Sequence, residues 1–274
     1  MTHPRQQTDA VGFVDLHAHL LPGVDDGPAT LEESVAMLAM AHRGGTRAMA
    51  ATPHMFSPHW LNEDVLAIRD AYARLVESLG RLGEYAEHAF LPELTLHLGA
   101  ENYVSEEFLC ALRAGRVLPL GEGRWLLVEL PPELPLAAAL GAVDQVLDAG
   151  FLPLVAHVER VRGVRRDPSG AAALVERGAR LQVNVQSLDG WRYALPRRTV
   201  DALLEGGLVS VVASDAHDCA GRPPTLERAW ERLARTFSPA DARRWLHANA
   251  AAMLQPESPA QGTPSSLEPT ADIT

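Results

Sequence analysis

The chain has 274 residues, 47% of them hydrophobic, and a formal net charge of −11 at pH 7. This length is common for α/β barrels that fold as one domain, and the acidic balance argues against a nucleic-acid-binding surface. Two isolated cysteines, Cys110 and Cys219, indicate a reduced compartment and argue against a disulfide framework. We find no signal-peptide core and no membrane-spanning run, so we expect a cytoplasmic protein without membrane insertion.

Short apolar runs alternate with helical patterns along the chain. Residues 1–11 are a polar stretch that we expect to be a flexible leader. Thr30 and Glu33 form a capping box that opens the first helix, and Asn62 is predicted to cap a long helix that ends near Leu82. Seven strands are predicted at about 12–18, 46–51, 94–99, 125–128, 152–156, 181–185 and 208–213, and later helices at about 105–115, 137–148, 169–177, 197–205, 224–236 and 239–254.

Seven alternations of strand and helix predict a parallel sheet with helical crossovers. No Gly-x-Gly-x-x-Gly follows the first strand, so a nucleotide-binding Rossmann start is not supported. A closed or nearly closed barrel over residues 12–255 fits the pattern better, and such barrels carry their chemistry at the carboxyl ends of the strands. Residues 256–274 are rich in Pro, Ser, Thr and Gln and are predicted to be a disordered tail.

Imidazoles and carboxylates occur where most of the predicted strands end. His17 and His19 close the first strand as an i, i+2 pair, so both rings can face one metal ion. Nitrogen and oxygen donors without sulfur favour manganese, zinc or iron over a structural thiolate zinc site. The nine predicted metal ligands are His17, His19, Asp26, His54, Glu101, Glu129, His157, Asp215 and His217.

Nine donors are too many for one ion, and about two or three divalent ions fit at four to six ligands each. Glu101 is central in the strand order and is the predicted bridging carboxylate. Clustered divalent ions polarise a phosphoryl oxygen and generate a hydroxide nucleophile near neutral pH. Arg160 and Arg222 follow His157 and His217 closely, and their guanidinium groups can hold a phosphoryl group.

A different phosphatase chemistry is suggested by Cys110 and Arg116, which have the Cys-x5-Arg spacing of cysteine-dependent enzymes. That mechanism needs a phosphate-binding loop with the thiolate at a helix N-terminus. Cys110 instead lies inside an apolar helical run, so we expect it to have no catalytic role.

Phrases spread in order over residues 12–254 resemble the PHP family of metal-dependent phosphoesterases, and most closely its bacterial capsule-type tyrosine phosphatase branch. They are DLHAHLLPGVDDG at 15–27, ATPH at 51–54, GAE at 99–101, LVEL at 127–130, VAHVER at 155–160, LQVN at 181–184 with SLDG at 187–190, and VASDAH at 212–217 with GRPP at 221–224.

This resemblance implies a distorted (β/α)7 barrel that binds three divalent ions, usually manganese, and hydrolyses phosphotyrosine on protein. By matching phrase, the nine residues above look like metal ligands. Arg160, Arg222 and Asp26 are the predicted catalytic residues, and Arg160, Arg222 and His59 the predicted substrate contacts. The implied partner is an autophosphorylating tyrosine kinase that controls capsular and exopolysaccharide export.

Two departures from the family pattern bear on substrate preference. Val161 stands where the family usually has tyrosine after Glu-Arg, and Met55 stands where a polar residue often follows His54. Alternatives therefore stay open at this point. They are a small phosphomonoester such as histidinol phosphate, a nucleic-acid end, and a catalytically idle barrel that binds metal and a kinase. The sequence does not predict an oligomeric state.

Overall fold

Parallel strands form the centre of the protein in the computed structural model, which describes residues 12–189 and 197–256. The predicted leader at 1–11 and most of the predicted tail lie outside the described residues. The strands are β1 Phe13–Ala18, β2 Thr46–Ala51, β3 His54–Met55, β4 Thr95–Leu98, β5 Glu101–Tyr103, β6 Trp125–Glu129, β7 Leu152–Val155, β8 Arg180–Asn184 and β9 Val209–Ala213.

These nine segments amount to the seven predicted strands, because two of the strands are interrupted. β2 and β3 are separated by Thr52 and Pro53, and β4 and β5 by Gly99 and Ala100. Proline has no N–H for the ladder, and a Cβ on Gly99 would lie 2.7 Å from Leu120 Cδ2, so both breaks have a cause in the sequence. One sheet has the order β1-β2-β4 and the other the order β3-β5-β6-β7-β8-β9.

The barrel closes between its first and last strands at their carboxyl ends. Ala18 and Ala216 form a parallel bridge, and the His19 N–H donates to the Ala216 carbonyl at 2.8 Å. The Asp215 N–H donates to the His17 carbonyl at 2.8 Å. The predicted distorted (β/α)7 barrel is therefore confirmed, with its tightest closure beside the residues predicted to bind metal.

Helices cover the outside of the barrel and follow the strands as predicted. Thr30 Oγ1 accepts from the Glu33 N–H, as the capping-box prediction required. The prediction that Asn62 caps the second helix is wrong, because the Asp64 carboxylate accepts from the Leu66 N–H instead. The helices are α1 Leu31–Arg43, α2 Val65–Leu82, α3 Glu106–Arg113, α4 Leu136–Asp148, α5 Arg162–Arg166, α6 Ser169–Glu176, α7 Val185–Asp189, α8 Arg197–Glu205, α9 Leu226–Thr236, α10 Pro239–Arg243 and α11 Asn249–Leu254.

Between α10 and α11 the chain forms a π-helical turn, Arg244–Ala248, that packs on β1 and β9. Its Trp245 side chain is buried, and the indole N–H donates to the Val209 carbonyl at 3.0 Å. The ring also meets Phe237 edge-on, with centroids 5.2 Å apart. No helix among the described residues is long and apolar enough to cross a membrane.

Replacing Trp245 tests whether the π-helical turn stabilises the junction between β1 and β9. We expect Trp245→Ala to lower the free energy of unfolding by about 3–5 kcal/mol, because it leaves a large cavity and an unpaired carbonyl. Urea denaturation measures the change. Val76→Ala, at a side chain 42% exposed on α2, is the control and should change the value by less than about 0.5 kcal/mol. Equal effects of the two substitutions would contradict the role given to Trp245.

Candidate metal centre

The nine side chains predicted to bind metal lie together at the carboxyl-end rim of the barrel. Each arrives from a different point of the fold: His17 from β1, His19 and Asp26 from the loop after it, His54 from β3, Glu101 from β5, Glu129 from β6, His157 from the turn after β7, and Asp215 and His217 from the segment after β9. Three overlapping groups of these residues each have ligand atoms within 4.8 Å of one another, and His157 joins them through Glu101.

The most buried group consists of His17, His19, Glu101 and Asp215. Five of the six separations between His17 Nε2, His19 Nε2, Glu101 Oε2 and Asp215 Oδ1 are 3.3–3.5 Å. Corners of a tetrahedron about 3.4 Å apart lie about 2.1 Å from its centre, the distance at which nitrogen and oxygen ligands bind zinc. The four atoms therefore have the spacing that a single bound cation requires.

Glu101 belongs to two of the three groups and contacts His19 and His54 of the third. Its Oε2 lies 3.4 Å from both His17 Nε2 and His19 Nε2 and 2.9 Å from His54 Nδ1. Its Oε1 lies 2.7 Å from His157 Nε2. One carboxylate in contact with four imidazoles could be shared by more than one ion, and its bridging role stays a prediction.

Two further groups extend towards solvent. Asp26 Oδ1 lies 3.4 Å from His54 Nε2 and 3.3 Å from His217 Nε2, and its side chain is 37% exposed. On the other side of His54, Glu129 Oε2 lies 3.7 Å from His54 Nδ1. The candidate centre thus has a buried end at His17 and an open end at Asp26.

Hydrogen bonds at the far side of three rings fix which nitrogen faces the centre. His19 Nδ1 lies 2.6 Å from the Asp25 carboxylate, and His17 Nδ1 lies 3.2 Å from Gln182 Oε1. His217 Nδ1 lies 2.8 Å from the Asp215 carbonyl. All three partners are acceptors, so Nδ1 carries a proton, and Nε2 is the nitrogen whose lone pair faces the centre when the ring is neutral.

Strand β8 supplies no predicted ligand, yet its two amide side chains touch ligands from three other strands. The Gln182 oxygen accepts from the His157 N–H at 2.9 Å and faces His17 Nδ1, and its nitrogen donates to Asn184 Oδ1 at 2.6 Å. The Asn184 nitrogen then donates to Asp215 Oδ2 at 2.7 Å. The His157 backbone N–H can only donate, so the Gln182 oxygen must accept. This fixes the donor and the acceptor of each hydrogen bond from Gln182 through Asn184 to Asp215.

Sequence reasoning did not assign a role to Asp25, Gln182 or Asn184. Asp25 adjoins a predicted ligand, and Gln182 and Asn184 form a polar i, i+2 pair inside an apolar strand. That pair has the same spacing as His17 and His19, so it could have been found by asking which strand carries inward polar residues without a charge.

Buried atoms without hydrogen-bond partners are a direct test of whether the residues fit a metal ion. Glu101 Oε2, His54 Nδ1 and His217 Nε2 are buried and make no hydrogen bond. The first two lie 2.9 Å apart, but not in hydrogen-bond alignment. Unsatisfied buried polar atoms are costly, and atoms that face a common point without bonding one another are what a cation would satisfy. The donor set therefore fits divalent ions.

Charge compensation within the site shows in its pKa values. Burial raises the pKa of Glu101, but His17, His157 and His19 outweigh it and hold that pKa well below its usual range. Burial lowers the pKa of His54, yet Asp26 and Glu101 bring it to about 10. Burial and the nearby Glu101 raise the pKa of Glu129. Protons on imidazoles thus balance the carboxylates, and a bound cation would displace them.

Two predicted ligands have strained backbone conformations. His157 has φ of 27° and Asp215 has φ of 50°, in the region that non-glycine residues seldom adopt. Both stand where a strand turns into the rim, and both are held there by bonds to β8. Strain of this kind persists only where the surrounding contacts determine the conformation.

The two predicted arginines lie at the rim, whereas the His59 side chain is exposed on the turn after β3. Arg160 Nη2 is 2.9 Å from Asp215 Oδ2, and Arg222 Nη2 is 2.7 Å from Asp26 Oδ2. His59 is exposed in the turn after β3, and its backbone N–H donates to Ser57 Oγ. The arginines can therefore reach an anion at the centre, and a substrate contact by His59 stays a prediction.

Cys110 has none of the surroundings that a nucleophilic cysteine needs. It is exposed within α3, after the first turn of the helix, and its sulfur accepts from Arg113 at 3.3 Å. The interpretation of its Cys-x5-Arg spacing as a chance match agrees with this placement.

Comparison with known proteins gives a consistent set of relatives. The family model described as capsular polysaccharide synthesis, CpsB/CapC, matches residues 13–255. Tyrosine-protein phosphatase YwqE of Bacillus subtilis is 32% identical over 228 residues, which is 82% of this chain and 85% of the relative. Tyrosine-protein phosphatase CpsB of Streptococcus pneumoniae is 26% identical over 236 residues, which is 84% of this chain and 93% of the relative.

Solved structures agree. One similar chain comes from the crystal structures of YwqE from Bacillus subtilis and CpsB from Streptococcus pneumoniae, described as unique metal-dependent tyrosine phosphatases. It superposes with a TM-score of 0.78 at 29% identity, and the match covers 88% of this chain and 94% of that chain. The phosphotriesterase homology protein from Escherichia coli covers 90% of this chain and all of its own, with a TM-score of 0.56 at 14% identity. The second likeness shows the fold alone.

The amide pair of β8 predicts an effect at a distance from the ions themselves. We expect Gln182→Leu to weaken manganese binding by about 10- to 100-fold, because His17 loses the acceptor that fixes its tautomer. Isothermal titration calorimetry with manganese measures this. Gln145→Leu is the control, since the Gln145 side chain bonds Arg113 on the helical surface. Unchanged affinity in a folded Gln182→Leu variant would contradict the role assigned to β8.

Proposed function

Because the chain belongs to the CpsB/CapC family of capsular polysaccharide synthesis, we infer that it is a metal-dependent tyrosine-protein phosphatase, a phosphoric monoester hydrolase. The observation that carries the proposal is the tetrahedral spacing of four donor atoms from His17, His19, Glu101 and Asp215. Such a site supports direct attack of a metal-activated water on a phosphoester, without a covalent enzyme intermediate.

The nine rim residues are the proposed ligands of two or three divalent ions, and manganese is the proposed metal, with zinc or iron as alternatives. Glu101 is the proposed bridge. Bound divalent ions polarise the phosphoryl group and lower the pKa of water towards neutrality. We propose residues 12–255 as the unit that carries this activity.

The chain's own residues bind and orient the substrate. Each guanidinium has five N–H donors, so Arg160 and Arg222 keep donors for phosphoryl oxygens beside their contacts with Asp215 and Asp26. Asp26 stands at the open end of the site, where its carboxylate can accept a hydrogen bond from the attacking water and orient it. His59 lies on the turn beside this opening and is the proposed outer contact.

The proposed substrate is a phosphotyrosine protein, and we propose a bacterial tyrosine kinase of polysaccharide export as the partner, with the reaction in the cytoplasm. Support comes from the names of the relatives, which are tyrosine-protein phosphatases, and from the capsule-synthesis description of the family. The net charge of −11 disfavours nucleic acid as the substrate.

Metal removal is the first test. Chelation followed by dialysis should abolish hydrolysis of a phosphotyrosine peptide, and manganese should restore it, because the donor set cannot activate water without a cation. Histidinol phosphate and single-stranded DNA, assayed beside the peptide, report the substrate class. Full activity in the metal-free protein would exclude the proposed chemistry.

Substitution of single residues separates the metal mechanism from the cysteine mechanism. We expect His157→Ala to lower kcat by at least about 100-fold, because it removes the ligand on the far side of Glu101. Cys110→Ser should retain wild-type activity, since that thiol is exposed on a helix away from the rim. Steady-state kinetics on the peptide, with circular dichroism to verify folding, gives both values, and the reverse pattern would refute the assignment.

A further inference from the structure

Exposed apolar side chains are concentrated on the segment that follows β3, residues 57–66. Among the large apolar side chains of the described residues, Leu61 at 89% and Leu66 at 69% have the highest exposed fractions. Phe56, just before the segment, is buried, so the core does not need the two leucines. Two leucines kept in water so close together in sequence indicate a surface that another molecule covers.

Backbone contacts hold this segment in one shape. Ser57 and Trp60 form an antiparallel bridge, and the Trp60 N–H donates to the Ser57 carbonyl at 3.2 Å. The Phe56 N–H donates to the Asn62 carbonyl at 3.0 Å, which closes the turn at its base. Asp64 then caps α2. Leu61 therefore lies on a hydrogen-bonded turn and Leu66 in the first turn of α2, and both are exposed there.

Asn62 joins the segment to the candidate centre. Its side-chain nitrogen donates to the carbonyl of His54 at 3.1 Å and to the carbonyl of Val24 at 3.0 Å. His54 is a proposed ligand, and Val24 stands two residues before Asp26, another proposed ligand. Leu61 is the neighbour of Asn62, and consecutive Cα atoms are about 3.8 Å apart. The turn that carries Leu61 is thus hydrogen-bonded to the backbone beside two proposed ligands, His54 and Asp26.

We propose that Leu61 and Leu66 bind apolar side chains of the substrate protein that flank its phosphotyrosine. The inference rests on the proposed function and specifies what that function recognises: an extended segment with aliphatic or aromatic residues within a few positions of the phosphorylated tyrosine. An extended chain advances about 3.3 Å per residue, so residues within a few positions of a phosphotyrosine anchored at the rim can reach the turn that carries Leu61.

A transient substrate fits this surface better than a second copy of the chain. Two leucines with their immediate surroundings offer far less area than the roughly 800 Å² per partner of a stable interface. The surface also begins at the catalytic opening, where a permanent partner would block entry. The proposal therefore commits to the substrate segment as the occupant.

The test compares two substrates on one double variant, Leu61→Ser with Leu66→Ser. The substrates are a phosphotyrosine peptide with leucine and phenylalanine around the tyrosine and p-nitrophenyl phosphate, which carries no flanking residues. We expect kcat/KM on the peptide to fall about tenfold, mostly through KM, because contacts of two apolar side chains are lost. On p-nitrophenyl phosphate kcat/KM should stay within about twofold.

A matched control is Tyr85→Ser, which removes another exposed apolar side chain, 60% exposed, from the far end of α2. It should leave both substrates at wild-type values. A second peptide with serine and glycine around the phosphotyrosine should be hydrolysed equally by wild type and double variant.

Each remaining outcome contradicts a stated part of the scheme. Equal losses on both small and peptide substrates, or no loss on the peptide, would overturn the docking surface while leaving the phosphatase intact. A change from dimer to monomer in light scattering, with unchanged peptide kinetics, would also overturn it in favour of self-association. If wild type hydrolyses no phosphotyrosine peptide with manganese present, the proposed function itself fails.

Discussion

The structure depends on the cost of burying Glu101 among imidazoles. A carboxylate in the protein interior must be paired or neutralised, and here its two oxygens meet four histidine nitrogens within 3.4 Å. Protons can balance the charge, but protonated rings cannot bind a metal. Divalent cations would satisfy the same carboxylate and free the rings, which explains why buried nitrogen and oxygen atoms at this point lack hydrogen-bond partners.

Such a cluster keeps its geometry only if the surrounding groups cannot rearrange. Asp25, Gln182 and Asn184 supply that restraint from the loop after β1 and from β8. Asp25 bonds His19, Gln182 bonds His17 and His157, and Asn184 bonds Asp215. The left-handed conformations of His157 and Asp215 are tolerated because these bonds fix the two residues. The strand without a ligand is therefore as necessary to the centre as the strands that carry one.

Sequence reasoning brought the predicted ligands to one place because parallel strands in a barrel end on one rim, so an acid or imidazole at a strand end has a predictable destination. The same reasoning ended two strands near Ala51 and Gly99, as the structure does, but did not predict the short strands β3 and β5 that follow them. It also chose Asn62 as a helix cap by residue type. The Asn62 amide instead bonds two carbonyls from distant parts of the chain, a tertiary contact that no local pattern contains.

The Asn62 contact links the proposed substrate-binding segment to the candidate metal centre. Asn62 bonds the carbonyl of His54 and the carbonyl of Val24, so the segment with Leu61 and Leu66 cannot shift without disturbing the loops that hold His54 and Asp26. A substrate segment bound to the leucines would contact the same turn that Asn62 ties to these loops. Because the leucine contacts lie outside the reacting centre, they act equally on the bound substrate and on its transition state, so recognition there changes KM more than kcat.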